Sequence, residues 1–225
     1  MTAATPRPAP TPSMRLEPGS PKIAERAAPP RLSRRALPRD TVALARFLIG
    51  KMLVHEAGGV RLSGRIVETE AYLVGDAASH AFRGETRRNR AMFLKRGHAY
   101  VYIAYGCWPV LNVTSEEEGV GAAVLLRGLE PLTGIDAMRR QRGEARDIDL
   151  ARGPGRLAGA MQISLAHDGA DLCGPGPLFL AAGEREPEAI VIATRIGISK
   201  DADRPLRFFE RGNPFVSGPR RLIGI

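Results

Sequence analysis

At 225 residues, 25% charged and only 5% aromatic, with a formal net charge of +9, the chain suits one domain, or one domain plus a tail. It has no run of 18 apolar residues, which excludes a transmembrane helix, and no apolar segment near the N-terminus, which argues against secretion. Cys107 and Cys173 stand far apart without CxxC spacing, so neither a disulfide framework nor a zinc knuckle follows, and a reducing cytoplasm is the expected setting.

Residues 1–38 hold nine of the eighteen prolines and almost no hydrophobic periodicity. Such a segment cannot bury enough apolar surface to offset its ordering entropy, and it reads as a disordered Pro/Arg-rich tail ahead of a domain at 39–225. The tail carries seven Lys/Arg and two Asp/Glu, leaving 26 basic and 22 acidic residues for the body. The body is therefore only mildly basic. The tail is either an arm that adds non-specific affinity for phosphate or a solvated extension without a role.

Asp40 is placed to cap a helix running through Ile49, with Gly50 as its stop. Lys51–Glu56 and Arg61–Tyr72 read as two strands joined by the turn Ala57-Gly58-Gly59. Residues 73–90 form a polar loop. Ala99–Tyr105 and Val110–Ser115 make a second hairpin around Gly106-Cys107, and Ala122–Leu129 is a strand ended by Glu130-Pro131. Gly134–Arg142 and Pro154–Ile163 read as helices, the latter opening with glycines, a proline and Arg156. Late strands fall at Leu178–Ala181, Ala189–Arg195 and Leu206–Glu210. This order predicts an α+β fold: one domain with a curved, mainly antiparallel sheet, flanking helices and a protruding hairpin.

All four tyrosines and the single tryptophan fall between Tyr72 and Trp108. Glu70 stands two residues before this window, and His80 and the basic run Arg87-Arg88-Asn89-Arg90 lie within it. Flat rings with polar tips, arginines and one carboxylate suit a pocket for an electron-rich ring beside phosphates, which points to a nucleic-acid base held for chemistry. Period-two alternation over Arg65–Tyr72 puts Glu68, Glu70 and Tyr72 on one face and Val67, Thr69 and Ala71 on the other. Glu70 is then either a solvated strand glutamate or a carboxylate that activates water and stabilises growing positive charge. His80 is either a surface histidine or a pocket group. Tyr105-Gly106-Cys107-Trp108 places two large aromatics at a turn, either packed on a neighbouring loop or entering a base stack as wedges. His55, His80, His98 and His167 show no i,i+4 or HxH pairing, so no metal site is expected.

Arg65–Tyr72 (RIVETEAY), Asn89–Phe93 (NRAMF), Tyr100–Gly106 (YVYIAYG), Val124–Pro131 (VLLRGLEP) and Pro205–Phe208 (PLRF) together resemble the alkyladenine (3-methyladenine) DNA glycosylases of the mammalian type. The resemblance runs in order from about Asp40 to about Ser217. It implies a cofactor-free enzyme that flips alkylated or deaminated purines out of duplex DNA and hydrolyses the N-glycosidic bond. By the same resemblance Glu70 is the general base, and Arg127 helps to hold the attacking water with the main chain near Ile196. Tyr72 and Tyr102 sandwich the base, His80 reads its edge, and Asn112 on the pocket floor disfavours the exocyclic amine of guanine. Tyr105 fills the gap in the duplex, flanked by Cys107 and Trp108 where the mammalian pattern has a different tip. Arg87, Arg88, Arg90 and Arg156 are the expected phosphate contacts. None of the four lysines stands within the matching motif, so lyase chemistry is not expected.

The expected partner is double-stranded DNA carrying damaged purines, met by a monomer in the cytoplasm at the nucleoid, with no membrane association. A non-catalytic nucleic-acid-binding module is the alternative, although a pure binder has no use for a carboxylate facing a polyanion. A metal-dependent nuclease needs clustered carboxylates, and only Glu68 lies near Glu70.

Overall fold

The computed structural model describes residues 29–219. Asp40 caps helix α1 (Thr41–Leu48) by accepting from the Ala43 N–H at 2.7 Å. Gly50, at φ +88°, then turns the chain into the sheet. Strands β1 (Met52–Ala57) and β2 (Val60–Tyr72) form the first hairpin, and β3 (Ala99–Ala104) and β4 (Trp108–Thr114) the second. β5 (Ala123–Thr133), β6 (Leu178–Ala181), β7 (Ile190–Ala193) and β8 (Arg207–Glu210) complete one sheet ordered β3-β4-β5-β2-β1-β6, with β8 pairing β2 and β7. Every pairing is antiparallel. Helices α2 (Ile135–Gln141) and α3 (Pro154–Ala160) pack with α1 and the sheet around a core that includes Leu44, Leu48, Leu62, Ile66, Leu126 and Leu157. The fold is thus α+β and single-domain, with a curled antiparallel sheet.

The body begins earlier than the composition predicts. Residues 1–28 of the proposed tail lie outside the described residues, but 29–38 pack on the sheet. Leu32 donates its N–H to Leu180, Arg31 bridges to Ala181, and the Arg31 guanidinium lies 3.5 Å over the Phe179 ring. Leu37 is buried in the main core. Proline-rich composition does not prevent a short segment from covering the edge of β6 when two leucines, Leu32 and Leu37, and one stacked arginine anchor it.

Two further boundaries differ from expectation. β5 does not stop at Glu130-Pro131 but runs to Thr133. Pro131 sits at a register shift opposite Ser63 and Gly64, where a missing N–H is tolerated, and Glu130 is held by Arg65 at 2.9 Å. β7 ends at Ala193, because Arg195 is drawn away to Asp76.

The β2–β5 ladder contains the feature that shapes the site. On β2, Leu62 and Ile66 face the main core, but so do Thr69, which donates to the Ala45 carbonyl, and Ala71. Even-numbered residues face inward up to Ile66 and odd-numbered ones from Thr69, so one extra residue has been inserted. β5 does the same: Leu129, Leu126 and Val124 all face the core. The register jumps from Ile66↔Leu129 to Glu68↔Gly128 and then to Thr69↔Leu126, leaving Val67 and Arg127 as the unpaired residues of two opposed bulges. Strict alternation carried on from Ile66 would have turned Glu68 and Glu70 into the core. The bulges turn them, and Arg127, to the opposite face. Val67 shares that face with Glu68, packing with Phe209 and Val216, rather than lying with Thr69 and Ala71 as simple alternation predicts.

Candidate active site

On the face exposed by the bulges lies a cleft of about 850 Å³. Tyr72, His80, Arg88, Tyr102, Tyr105, Trp108, Asn112, Arg127, Arg156 and Ile196 all line it. Residues from β2, β3, β4 and β5, the loop after β2 and the segment after β7 therefore converge on one cavity, of a size suited to a small aromatic ligand.

Glu70 lies beneath the floor and is fully buried. Its Oε1 accepts the Ile196 N–H at 2.7 Å and lies 3.3 Å from Arg127 Nη1, while its Oε2 accepts the Tyr72 hydroxyl at 3.0 Å. The solvated-glutamate reading is thereby excluded. Burial pushes the Glu70 carboxyl above the ordinary carboxylate range, and Arg127, the Ile196 N–H and Tyr72 act against that rise. Glu68 is equally buried but is spoken for: it accepts from Arg127 Nε at 3.1 Å, Arg207 Nε at 2.7 Å and the Ser217 N–H at 2.6 Å. Those bonds make Glu68 a structural anchor for Arg127.

The aromatic walls are braced from behind. Tyr72 has the Arg195 guanidinium 4.7 Å from its ring centroid. Tyr102 stacks on buried Tyr100 at 5.5 Å and meets the His80 ring edge-on at 4.4 Å. His80 Nδ1 lies 2.8 Å from the Tyr100 hydroxyl. Partial burial and then nearby Arg88 lower the His80 pKa, so the imidazole is neutral at pH 7. In the tautomer where the Tyr100 hydroxyl donates to Nδ1, Nε2 carries the proton and is a donor. Buried Asn112 gives its amide N–H to the Tyr100 carbonyl at 3.1 Å and lines the cleft.

The β3–β4 turn holds Tyr105 in the left-handed region at φ +49°, followed by Gly106 at φ +74°. Tyr105 is 85% exposed, the most of any large apolar side chain described. Its hydroxyl lies 3.2 Å from where a Cβ on Gly197 would stand, so Gly197, at φ +80°, leaves room across the cleft mouth for that ring. Trp108 is half exposed and lies against Gly155, where an added Cβ would stand only 3.1 Å from the Trp108 Cβ. Cys107 is exposed at the tip but does not line the cleft.

Of the four arginines expected at phosphates, all are exposed, but only Arg88 and Arg156 line the cleft. Arg87 and Arg90 stand on the adjoining loop, Arg90 lying 3.7 Å from Glu85. Sequence reasoning missed Arg142 and Arg152, which also line the cleft, and Arg195 and Arg207, which are buried behind it. Among the described residues no group of three His, Cys, Asp or Glu is placed to hold a metal ion, and no helix is long and apolar enough to cross a membrane.

The family model described as Methylpurine-DNA glycosylase (MPG) matches residues 35–214. The chain is 61% identical over 193 residues to a protein of Mesorhizobium japonicum, covering 86% of this chain and 93% of that one. It is 51% identical to a protein of Paraburkholderia phytofirmans, over 85% and 90% of the two chains, and 49% identical to one of Methanoculleus marisnigri, over 80% and 94%. All three relatives bear the name "Putative 3-methyladenine DNA glycosylase". A chain matched over this length, with a carboxylate, an arginine and aromatic walls gathered in one cleft, belongs to the methylpurine-DNA glycosylase family of DNA-repair hydrolases acting on N-glycosyl bonds.

Proposed function

We propose that this DNA glycosylase acts as a monofunctional, monomeric base-flipping enzyme on alkylated and deaminated purines, with site chemistry of the mammalian alkyladenine glycosylase type. The observation that carries the reading is the carboxylate of Glu70, buried beneath a cleft walled by Tyr72, His80 and Tyr102 and bridged to Arg127. A base turned out of the duplex enters between the Tyr72 ring and the Tyr102/His80 wall and is stacked on both faces. Glu70 Oε2 has one donor, Tyr72, and keeps a lone pair for the proton of a water entering beside Arg127. As the base departs the sugar becomes cationic, and an anion held nearby then stabilises the transition state more than the ground state. Every group this chemistry needs comes from one chain, which fits action as a monomer.

The decisive test uses duplexes carrying hypoxanthine, ethenoadenine, 3-methyladenine or 7-methylguanine, incubated with the protein and EDTA, with abasic sites as the readout. Abasic product that persists in EDTA supports the reading. Intact strands with every lesion, or strand cleavage without alkali, would refute it.

Two residues carry separable expectations. Tyr105 projects from the hairpin tip, and filling the vacated stack offsets part of the few kcal/mol lost in unstacking a base. Tyr105→Ser is expected to reduce the flipped fraction of an ethenoadenine duplex, read by its fluorescence, and to weaken lesion binding more than binding to undamaged DNA. The melting temperature should barely move, since so exposed a ring contributes little to the core. Normal flipping in this variant, with loss in Trp108→Ala, would transfer the wedge to Trp108. Asn112→Ala removes a polar obstacle from the cleft wall and should raise 7-methylguanine excision relative to hypoxanthine. An unchanged ratio of the two rates removes Asn112 from base selection.

A further inference from the structure

Arg195 lies outside the cleft, yet it is tied to several of the segments that build it. Its side chain is fully buried with that of Asp76. Both guanidinium ends engage the Asp76 carboxylate, with Nη2 to Oδ1 at 3.0 Å. Nη1 also donates to the Ala71 carbonyl at 3.1 Å, between Glu70 and Tyr72, and Nη2 to the Asp201 carbonyl at 3.2 Å. The guanidinium backs the Tyr72 ring, and the next residue, Ile196, supplies the N–H on Glu70 Oε1. Asp76 in turn orders the start of the loop that presents His80, accepting from the Ala78 N–H with its side chain and from the Ser79 N–H with its carbonyl.

We propose that Arg195 is a positioning residue for base excision: by bridging Asp76, Ala71 and Asp201 beneath Tyr72, it fixes the stacking ring and the Ile196 N–H on Glu70 as one unit. Only arginine has the reach and the number of donors for this task. A planar fork can grip a carboxylate with two nitrogens, serve two carbonyls and still present a face to an aromatic ring. A lysine ammonium at the same place keeps the charge but cannot span those partners. Losing the Ile196 N–H would remove one of the donors that favour the Glu70 anion. The groups around that carboxylate are Arg127 from β5, Glu68 and Tyr72 from β2, Arg207 from the paired strand β8, Tyr102 from β3, and Arg195 and Ile196 after β7.

The inference rests on Glu70 as the general base, and its test separates the two claims. Single-turnover excision of hypoxanthine from a duplex is measured against pH for the wild-type protein, Arg195→Lys and Glu70→Gln, well below each melting temperature. Affinity for an ethenoadenine duplex is measured in parallel. In Arg195→Lys the acid limb is expected to move up by about half to one pH unit, as befits the loss of one hydrogen bond to a carboxylate. Ethenoadenine binding is expected to weaken about tenfold as Tyr72 loses its backing. A variant that loses only thermal stability, with acid limb and affinity within about twofold of wild type, makes Arg195 merely structural and overturns the proposal. If Arg195→Lys does not fold, Asp76→Asn keeps an acceptor for Arg195 while removing the charge that aims it. It should shift both readouts in the same direction, and no shift again overturns the proposal. An active Glu70→Gln would instead refute the general-base reading, independently of Arg195.

Discussion

Glu70→Gln is expected to lower single-turnover release of hypoxanthine by about 10²–10⁴-fold, the usual contribution of a general base. Gln has nearly the shape of Glu and can still accept from the Ile196 N–H and from Arg127, so the cleft walls and DNA affinity should be preserved. Stability gives an independent check. Burial raises the Glu70 carboxyl in the folded protein, so the folded state binds this proton more tightly than the unfolded chain does. The resulting cost to stability is absent below the unfolded-state pKa, grows as pH rises, and is complete above the raised folded value. Gln bears no such cost, so the melting temperature of the variant at neutral pH should equal or exceed that of wild type. With Glu70 as the proposed general base, the wild-type rate should fall on acidification at a pH above the ordinary carboxylate range. Retention of more than about a tenth of wild-type activity would move the base elsewhere, because no surviving pathway without it should be so fast. Glu68 is a poor substitute, with its oxygens held by Arg127, Arg207 and the Ser217 N–H.

Much of the fold is legible in the sequence because its signals are local. The Asp40 cap, the Gly50 stop and the Gly58-Gly59 hairpin turn each rest on residues within a few positions, and each falls where expected. The clustering of tyrosines between Tyr72 and Trp108 likewise identifies the cleft walls, because β2 and the β3–β4 hairpin both end there. What cannot be read is non-local. The bulges at Val67 and Arg127 exist only where two strands meet, so alternation along β2 alone groups Glu68 with Glu70 but misplaces Val67. Arg195 closes on Asp76, 119 positions away, and in the sequence it is simply the basic end of a short strand. The tail boundary fails for the same reason: the chain before Asp40 carries few apolar residues, but β6 presents an edge and Phe179 a ring for it to cover.

Arg127→Met should damage the fold as well as the chemistry. Arg127 reaches Glu68 at 3.1 Å, Glu70 at 3.3 Å and the Ser217 hydroxyl at 3.2 Å from a nearly closed site. Glu68 keeps Arg207 when this guanidinium goes, but Glu70 loses its nearest cation and remains buried. Breaking one side of a buried ion pair typically costs about 3–5 kcal/mol. For a domain of this size that corresponds to a fall in melting temperature of roughly 6–20 °C. The kinetic consequence follows from the sign of Arg127's influence. Arg127 holds the Glu70 carboxyl down against burial, so its removal lets the pKa climb further and moves the acid limb to higher pH. Each unit of climb costs about tenfold in rate at a fixed pH below the limb. Activity lost at pH 7 should therefore be partly regained under alkaline conditions, unlike that of Glu70→Gln, which has no proton to lose. A variant whose melting temperature drops while its acid limb stays fixed would show that Arg127 braces the bulge without tuning the carboxylate. Arg127→Lys separates charge from geometry: it restores a cation near Glu70 but cannot span both glutamates and Ser217. The acid limb should return most of the way while the melting temperature recovers only in part.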